Sequence, residues 1–127
     1  MSKLLIVDDE APLAGALADY LEGKGHEVFV CTDPFAAEDE VAARRPDLAI
    51  FDYMMPGRRG TEILAALRAK DETRRLPVIF LSGTETLRFS GEVPPEPRVR
   101  FLRKPVELQS MLVLIGEMLN PDGWTAA

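Results

Sequence analysis

The segments Leu4-Leu5-Ile6-Val7-Asp8-Asp9 and Leu48-Ala49-Ile50-Phe51-Asp52 decide the fold of this chain. In each segment, four consecutive apolar residues end at one or two aspartates. Short apolar runs with polar boundaries indicate strands buried on both faces, as in a parallel sheet. The carboxyl ends of such strands border the crevice where open α/β sheets bind ligands. Because clustered carboxylates repel each other, the pattern favours a divalent cation held by oxygen ligands.

Strand patterns and helix patterns alternate along the rest of the chain. The strands are predicted at residues 3–7, 27–31, 47–51, 78–81 and 99–102. Helices are predicted to follow, with Pro12, Pro34 and Thr61 near the starts of three of them and a last one over 106–119. Repeated βα units of this length predict an α/β fold, a doubly wound five-stranded parallel sheet. We expect one domain over residues 1–120 and a short C-terminal tail over 121–127.

The segment between the fourth and fifth strands departs from this alternation. A fourth helix is expected there, but residues 83–98 contain prolines at positions 94, 95 and 97. Proline in a helix interior removes a backbone hydrogen bond and clashes with the preceding turn. We therefore predict a shortened or missing fourth helix, with a loop in its place.

Composition and charge exclude several functional classes. The 127 residues carry a formal net charge of -6, whereas nucleic-acid-binding domains are usually basic, so we expect no direct nucleic-acid partner. The chain has a single cysteine, Cys31, in an apolar run, and a buried unreactive thiol is expected there. It contains neither an 18-residue apolar stretch nor a signal-peptide pattern, so we expect no membrane span and a cytoplasmic location.

Five polar residues follow the predicted strands and form one candidate site. Asp8, Asp9 and Asp52 are neighbours if the first and third strands are adjacent in the sheet. Ser82 follows the fourth strand, and Lys104 follows the fifth. Each residue alone has an ordinary explanation, such as a helix cap, a turn or a solvated charge. Three acids, one hydroxyl and one amine at strand ends together indicate a specific site.

These residues resemble the receiver domain of two-component response regulators, of the stand-alone chemotaxis type. The resemblance covers essentially the whole chain, and it implies the strand order 2-1-3-4-5 of the flavodoxin-like fold. The motifs that carry it are Asp8-Asp9, Asp52-Tyr53-Met54-Met55-Pro56-Gly57 with Gly60, Leu81-Ser82-Gly83, and Lys104-Pro105.

The resemblance implies a phosphoacceptor and a magnesium site. Asp52 would accept a phosphoryl group from a phosphohistidine, a reaction that depends mainly on positioning and charge neutralisation. Mg²⁺ would be held directly by Asp9, Asp52 and the backbone carbonyl of Met54, and through water by Asp8. The metal would offset repulsion between Asp52 and the incoming phosphoryl oxygens.

The same resemblance assigns residues that read the phosphorylated state. Lys104 would pair with Asp52 and then with a phosphate oxygen, and Ser82 would donate its hydroxyl to another oxygen. The Lys104–Pro105 peptide is expected to be cis. Phe101 occupies the position of an aromatic switch, but plain core packing stays open because phenylalanine has no hydroxyl to hydrogen-bond a partner.

The expected partners are a histidine kinase or a histidine phosphotransfer protein, and a downstream protein partner. The chain would be a signalling switch rather than a conventional enzyme, and a monomer or weak dimer because the segment 83–98 departs from the family pattern. Two alternatives stay open: a phosphorylation-independent binding module, and a Mg²⁺-dependent phosphohydrolase, which the absence of an Asp-x-Asp motif at Asp52 disfavours. Arg58 and Arg59 are expected in a solvated loop.

Overall fold

The computed structural model describes residues 2–83 and 98–120, which contain five strands and four α-helices. The strands are β1 (Lys3–Val7), β2 (Glu27–Cys31), β3 (Leu48–Asp52), β4 (Val78–Ser82) and β5 (Val99–Arg103). The helices are α1 (Ala11–Gly23), α2 (Ala37–Arg44), α3 (Gly60–Arg68) and α4 (Leu108–Leu119), and a short 3₁₀ turn, Pro34–Ala36, precedes α2.

The strands form one parallel sheet in the order β2-β1-β3-β4-β5, which confirms the predicted fold class and strand order. β1, β3 and β4 lie in the interior of the sheet, and their apolar residues are fully buried. β2 lies at an edge and is partly exposed. Burial on both faces explains why the three interior strands read as continuous apolar runs.

Two layers of helices cover the sheet and divide its core. α2 and α3 cover one face, where Val41, Ile63, Leu64 and Leu67 pack against alternate strand residues. α1 and α4 cover the other face, where the main contributors are Leu17, Leu21, Met111, Ile115 and Met118. Because successive strand side chains point to opposite faces, each interior strand contributes to both layers.

The predicted element ends are close to those observed, with small differences. β3, β4 and β5 each extend one residue further than predicted, so Asp52 and Ser82 are the last residues of their strands. The last helix begins at Leu108 rather than residue 106. Leu108, the first residue of this helix, is exposed.

Some expectations fall on residues that the structure does not describe. The shortened or missing fourth helix falls on residues 84–97, and the C-terminal tail falls on residues 121–127, both outside the described residues. Cys31 is buried as predicted, and burial raises the pKa of its thiol. In the described ranges, none of the helices has the length and apolar character needed to cross a membrane.

Candidate functional site

Asp8 and Asp52 lie close together because β1 and β3 are adjacent and end at the same edge of the sheet. Val7 lies opposite Phe51 in the sheet register, so Asp8 and Asp52 follow directly at the same edge. The backbone amide of Asp8 still donates to the Cys31 carbonyl at 3.0 Å, which fixes the end of β1. Asp8 is fully buried and Asp52 is 5% exposed, so neither charge is well hydrated.

A third carboxylate, Glu10, completes the cluster. One oxygen each from Asp8, Glu10 and Asp52 lie within 4.8 Å of one another, and Asp9 is outside this group. The Glu10 amide donates to Asp8 Oδ1 at 2.9 Å, which fixes the turn between β1 and α1. Sequence reasoning missed Glu10, although three consecutive acids after a buried strand were a signal for it. Asp9 is exposed, but its negative charge is near enough to raise the pKa of Asp52.

Lys104 supplies the positive charge at this cluster. Its Nζ atom lies 3.3 Å from Asp52 Oδ2 and 3.3 Å from Glu10 Oε1. The Lys104 backbone amide donates to the Ser82 carbonyl at 2.7 Å, so β4 positions the start of this loop. The Lys104–Pro105 peptide is cis, as the resemblance implied. Asp8, Glu10, Asp52 and Lys104 are called the acid site below.

The acids of this site are held in an unfavourable environment. Burial raises the pKa of Asp8 to about 6, and the charge of Asp52 adds to this effect. Burial also raises the pKa of Asp52, although Lys104 opposes the shift. Burial lowers the pKa of Lys104, but the charges of Asp52 and Asp8 outweigh that effect and leave it above its ordinary value. The acid site therefore has more negative charge than its single lysine neutralises.

This environment fits a hard divalent cation. Asp8 Oδ2 is buried and has no hydrogen-bond partner among the described residues. An unpaired buried carboxylate oxygen costs free energy unless a cation or a hydrogen bond satisfies it. Carboxylate oxygens are the ligands that Mg²⁺ prefers in proteins. The donor set and the orphaned oxygen together suit a magnesium site.

Ser82 and Phe101 lie beside the acid site on β4 and β5. Ser82 is 3% exposed, and its hydroxyl lies 3.5 Å from the Leu102 carbonyl, which is a long contact for a hydrogen bond. The ring of Phe101 is half-buried and packs with those of Phe80 and Tyr53 at centroid distances of 5.3 and 5.8 Å. Among the described residues, the Ser82 hydroxyl thus has no strong competing bond to the backbone. Phe101 packs against an aromatic cluster.

The loop between β3 and α3, residues 53–59, borders the acid site. The Met54 amide donates to Asp52 Oδ1 at 3.3 Å, and the Met54 side chain is 40% exposed. The Arg58 amide donates to the Met55 carbonyl at 3.3 Å and Gly57 has a φ of +81°, the pattern of a type II turn with Pro56 at its second position. Glycine is favoured at this positive φ because other residues meet steric strain there.

The end of this loop requires a second glycine for a different reason. A Cβ atom on Gly60 would lie 2.7 Å from the Phe80 ring and 2.9 Å from the Asp52 carbonyl oxygen. Close approach of α3 to β3 and β4 therefore excludes a side chain at this position, which explains Gly60 in the motif quoted above.

One expectation for this loop was wrong. Arg58 was predicted to be solvated, but its side chain is only 14% exposed. Its guanidinium pairs with both carboxylate oxygens of Glu38 at 2.5 Å. A single sequence gives no signal for this pair, because Glu38 lies 20 positions earlier and reaches Arg58 only through the packing of α2 beside α3.

Comparisons with known proteins agree with the geometry. The family model described as "Response regulator receiver domain" matches residues 4–115. A curated relative, the phosphate regulon transcriptional regulatory protein PhoB of Rhizobium meliloti, is 40% identical over 93 residues, which cover 72% of this chain and 41% of the relative. PhoB of Pseudomonas aeruginosa is 31% identical over 123 residues, which cover 94% of this chain and 52% of the relative. The chain thus spans about half the length of the curated relatives it matches.

The fold also matches solved structures. A response regulator receiver domain protein from Clostridium thermocellum superposes with a TM-score of 0.84 at 25% identity. The match covers 96% of this chain and 97% of that one. The likeness therefore includes the whole sheet and its helices.

Proposed function

The chain belongs to the response regulator receiver domain family, and we propose from this premise that Asp52 is its phosphoacceptor. Asp52 would take a phosphoryl group from the phosphohistidine of a histidine kinase or a histidine phosphotransfer protein. The observation that carries the proposal is the position of Asp52: it ends β3 within the acid site, with the Lys104 ammonium 3.3 Å from its carboxylate.

The transfer would exchange one bond to phosphorus for another. An oxygen of Asp52 forms the new P–O bond while the P–N bond to the donor imidazole breaks. Such a reaction needs little covalent assistance, and its rate depends on positioning and on compensation of negative charge. The backbone amide of Met54 supports this positioning, because it donates to Asp52 Oδ1 and leaves Oδ2 facing Lys104.

Lys104 would follow the negative charge as it moves. In the unphosphorylated protein its ammonium group lies between Asp52 and Glu10. A phosphoryl group on Asp52 would place new anionic oxygens near this ammonium group and would compete with Glu10 for it. Ser82 would donate its hydroxyl to another phosphate oxygen, since its present contact with the Leu102 carbonyl is long.

Mg²⁺ would be held by Asp9, Asp52 and the Met54 backbone carbonyl, with Asp8 acting through water, and Glu10 adds a carboxylate to the same crevice. When bound, the metal supplies positive charge that reduces repulsion between Asp52 and the phosphoryl oxygens. The orphaned Oδ2 atom of Asp8 supports this assignment.

The phosphorylated state would change the surface that a downstream protein reads. Movement of Ser82 toward the phosphate opens space beside β4, and Phe101 could rotate into it from its half-buried position. We propose that the protein works as a cytoplasmic monomer or weak dimer in a two-component system. Its negative net charge supports a protein partner rather than direct contact with nucleic acid.

The proposal is tested by labelling with acetyl phosphate in the presence of Mg²⁺, followed by mass-spectrometric mapping of the modified residue. We expect wild-type labelling at Asp52 and none in Asp52→Asn, because the amide is not a competent nucleophile. Asp33→Asn, at an exposed helix cap, is the control and should label as wild type. Labelling of another residue in the wild type, with Asp52 unmodified, would overturn the assignment.

A further inference from the structure

The pair formed by Arg58 and Glu38 is a partly buried, doubly hydrogen-bonded ion pair. The side chains of Arg58 and Glu38 are 14% and 23% exposed, and both guanidinium–carboxylate contacts measure 2.5 Å. The hydrogen bonds from Arg58 lower the pKa of Glu38, and the same bonds raise the pKa of Arg58. Planar, doubly bonded arginine–carboxylate pairs fix geometry more strongly than single contacts do.

Further contacts of Arg58 hold it against the segment before α2. Its guanidinium also donates to the Pro34 carbonyl at 3.1 Å. It lies 6.0 Å from the centroid of the Phe35 ring, within the range of a cation–π contact. A Cβ atom on Gly57 would lie 3.3 Å from the same ring. These contacts therefore hold the middle of the 53–59 loop against the 3₁₀ turn that precedes α2.

This attachment matters because the same loop presents backbone atoms to the acid site. The loop leaves β3 at Tyr53, whose amide donates to the Leu81 carbonyl at 2.8 Å, and it closes where the Gly60 amide donates to the Tyr53 carbonyl at 3.0 Å. Met54 lies just inside this closure and bonds to Asp52 through its amide. The position of the Met54 carbonyl thus depends on how the Met55–Arg58 turn is held.

We propose that Arg58 and Glu38 form a clamp that positions the Met54 backbone for Mg²⁺ binding at the acid site. Arg58 is then a positioning residue, which acts on the site through the loop rather than by touching the metal or the phosphoryl group. The inference rests on the proposed function, because it takes the Met54 carbonyl as a metal ligand. Outer contacts that orient metal ligands commonly change affinity when they are lost.

The test compares two glutamates of the same helix that each pair with an arginine. Glu38→Gln removes the negative charge of the clamp. Glu40→Gln removes the more exposed pair between Glu40 and Arg44, whose side-chain atoms lie 3.2 Å apart. The Mg²⁺ dissociation constant is measured by calorimetry on the whole chain, at a temperature where each variant is folded. We expect Glu38→Gln to weaken Mg²⁺ binding about 10-fold and Glu40→Gln to leave it unchanged.

A second variant keeps the test decisive if Glu38→Gln folds poorly. Arg58→Lys keeps the positive charge but loses the two parallel hydrogen bonds, so it should weaken Mg²⁺ binding by a smaller factor than Glu38→Gln or Arg58→Met. Equal Mg²⁺ affinity in wild type, Glu38→Gln and Arg58→Met would overturn the clamp, as would equal losses in Glu38→Gln and Glu40→Gln.

The two proposals fail in distinguishable ways. Labelling of wild-type Asp52 together with unchanged Mg²⁺ affinity in the clamp variants would refute the clamp and leave the phosphoacceptor in place. A wild-type protein that binds no Mg²⁺ and is not labelled at Asp52 would refute both.

Discussion

The pairs Asp52–Lys104 and Glu38–Arg58 lie on two sides of the same loop, and they differ in how completely their charges are satisfied. Asp52 meets Lys104 through one contact of 3.3 Å, and burial still raises the pKa of Asp52. Glu38 meets Arg58 through two contacts of 2.5 Å, and its pKa is lowered. The first carboxylate is held in an unfavourable charged state, whereas the second is stabilised by its partner.

This difference matches the roles that we propose for the two regions. A carboxylate that is to accept a phosphoryl group and bind a metal must keep oxygen atoms without strong partners. A site built in this way lowers the stability of the fold while it is empty. A group that holds a loop in place needs a saturated, well-oriented partner. The incompletely paired Asp52 thus suits the proposed chemistry, and the doubly hydrogen-bonded Glu38–Arg58 pair suits the proposed positioning role. Three substitutions test this distinction.

The largest expected effect comes from Lys104→Met. The substitution removes the ammonium group that lies 3.3 Å from Asp52, and among the described residues it leaves Asp52 without an ion-pair partner. Loss of one preorganised charge that stabilises a transition state typically costs about 100-fold in rate, or about 2.7 kcal/mol. We expect the rate of Asp52 phosphorylation by acetyl phosphate to fall by about this factor, measured by phosphoprotein electrophoresis over time.

Arg103→Met is the control for that experiment, because Arg103 is the exposed neighbour of Lys104 and carries the same charge. It should retain the wild-type rate within about 2-fold, since exposed charges have small effects. Equal slowing of Asp52 phosphorylation in Lys104→Met and Arg58→Met would contradict the different roles proposed for the two pairs.

A smaller effect of opposite sign is expected for Asp8→Asn in the absence of metal. The folded pKa of Asp8, about 6, lies above the ordinary value of 3.8, so ionisation of this carboxyl destabilises the fold. That cost is absent below about pH 4, develops between about pH 4 and pH 6, and is fully present above about pH 6. At pH 7.5 with EDTA, the variant should have a free energy of unfolding about 2 kcal/mol higher than wild type.

Urea unfolding followed by circular dichroism, at pH 4 and pH 7.5, measures this difference. The gain should disappear at pH 4, and added Mg²⁺ should stabilise wild type more than Asp8→Asn. Asp33→Asn serves as the control, since asparagine caps a helix as well as aspartate does. A variant that is less stable than wild type at pH 7.5 would show that Asp8 is satisfied without metal.

The smallest effect is expected for Glu38→Gln, which removes the charge that pairs with Arg58. Because Arg58 lowers the folded pKa of Glu38, the pair contributes stability above the unfolded pKa of about 4.3, and this contribution is lost as the pH falls through the folded pKa. Glu38→Gln should therefore lower the free energy of unfolding by about 1 kcal/mol at pH 7. The deficit relative to wild type should shrink on acidification below about pH 4.

The same urea titrations provide the check, with Glu40→Gln as the matched variant on α2. Exposed ion pairs contribute little, so Glu40→Gln should change stability by less than about 0.5 kcal/mol. A deficit in Glu38→Gln that is the same at pH 3 and pH 7 would indicate lost packing rather than a lost ion pair.

The sequence predicted the fold well because the fold depends on local patterns. The apolar runs of β1, β3 and β4 are buried on both faces, and such runs are readable without knowledge of their neighbours. Their strand order and the cis Lys104–Pro105 peptide followed from the family resemblance, and the structure confirms both.

Predictions at the site were less complete, because burial and pairing there depend on distant parts of the chain. Asp8 and Asp52 were expected to meet, and they do, but Glu10 joins them through the turn that follows β1. Arg58 was placed in solvent because nothing near it in the sequence suggested a partner. Its partner, Glu38, lies on α2. This helix comes close to the loop only because α2 and α3 pack on the same face of the sheet.

The sequence by itself placed Asp8, Asp52, Ser82 and Lys104 at one edge of a parallel sheet, because the end of each apolar run fixes where each strand stops. It did not show that Glu10 joins the cluster while Asp9 stays outside it. Only the tertiary structure decided how those charges are balanced. Burial and the distances between Asp52, Lys104, Glu38 and Arg58 set whether a carboxylate is satisfied, and these quantities arise when separate elements pack. An incompletely paired Asp52 near a doubly hydrogen-bonded Glu38–Arg58 pair is therefore a property of the folded protein.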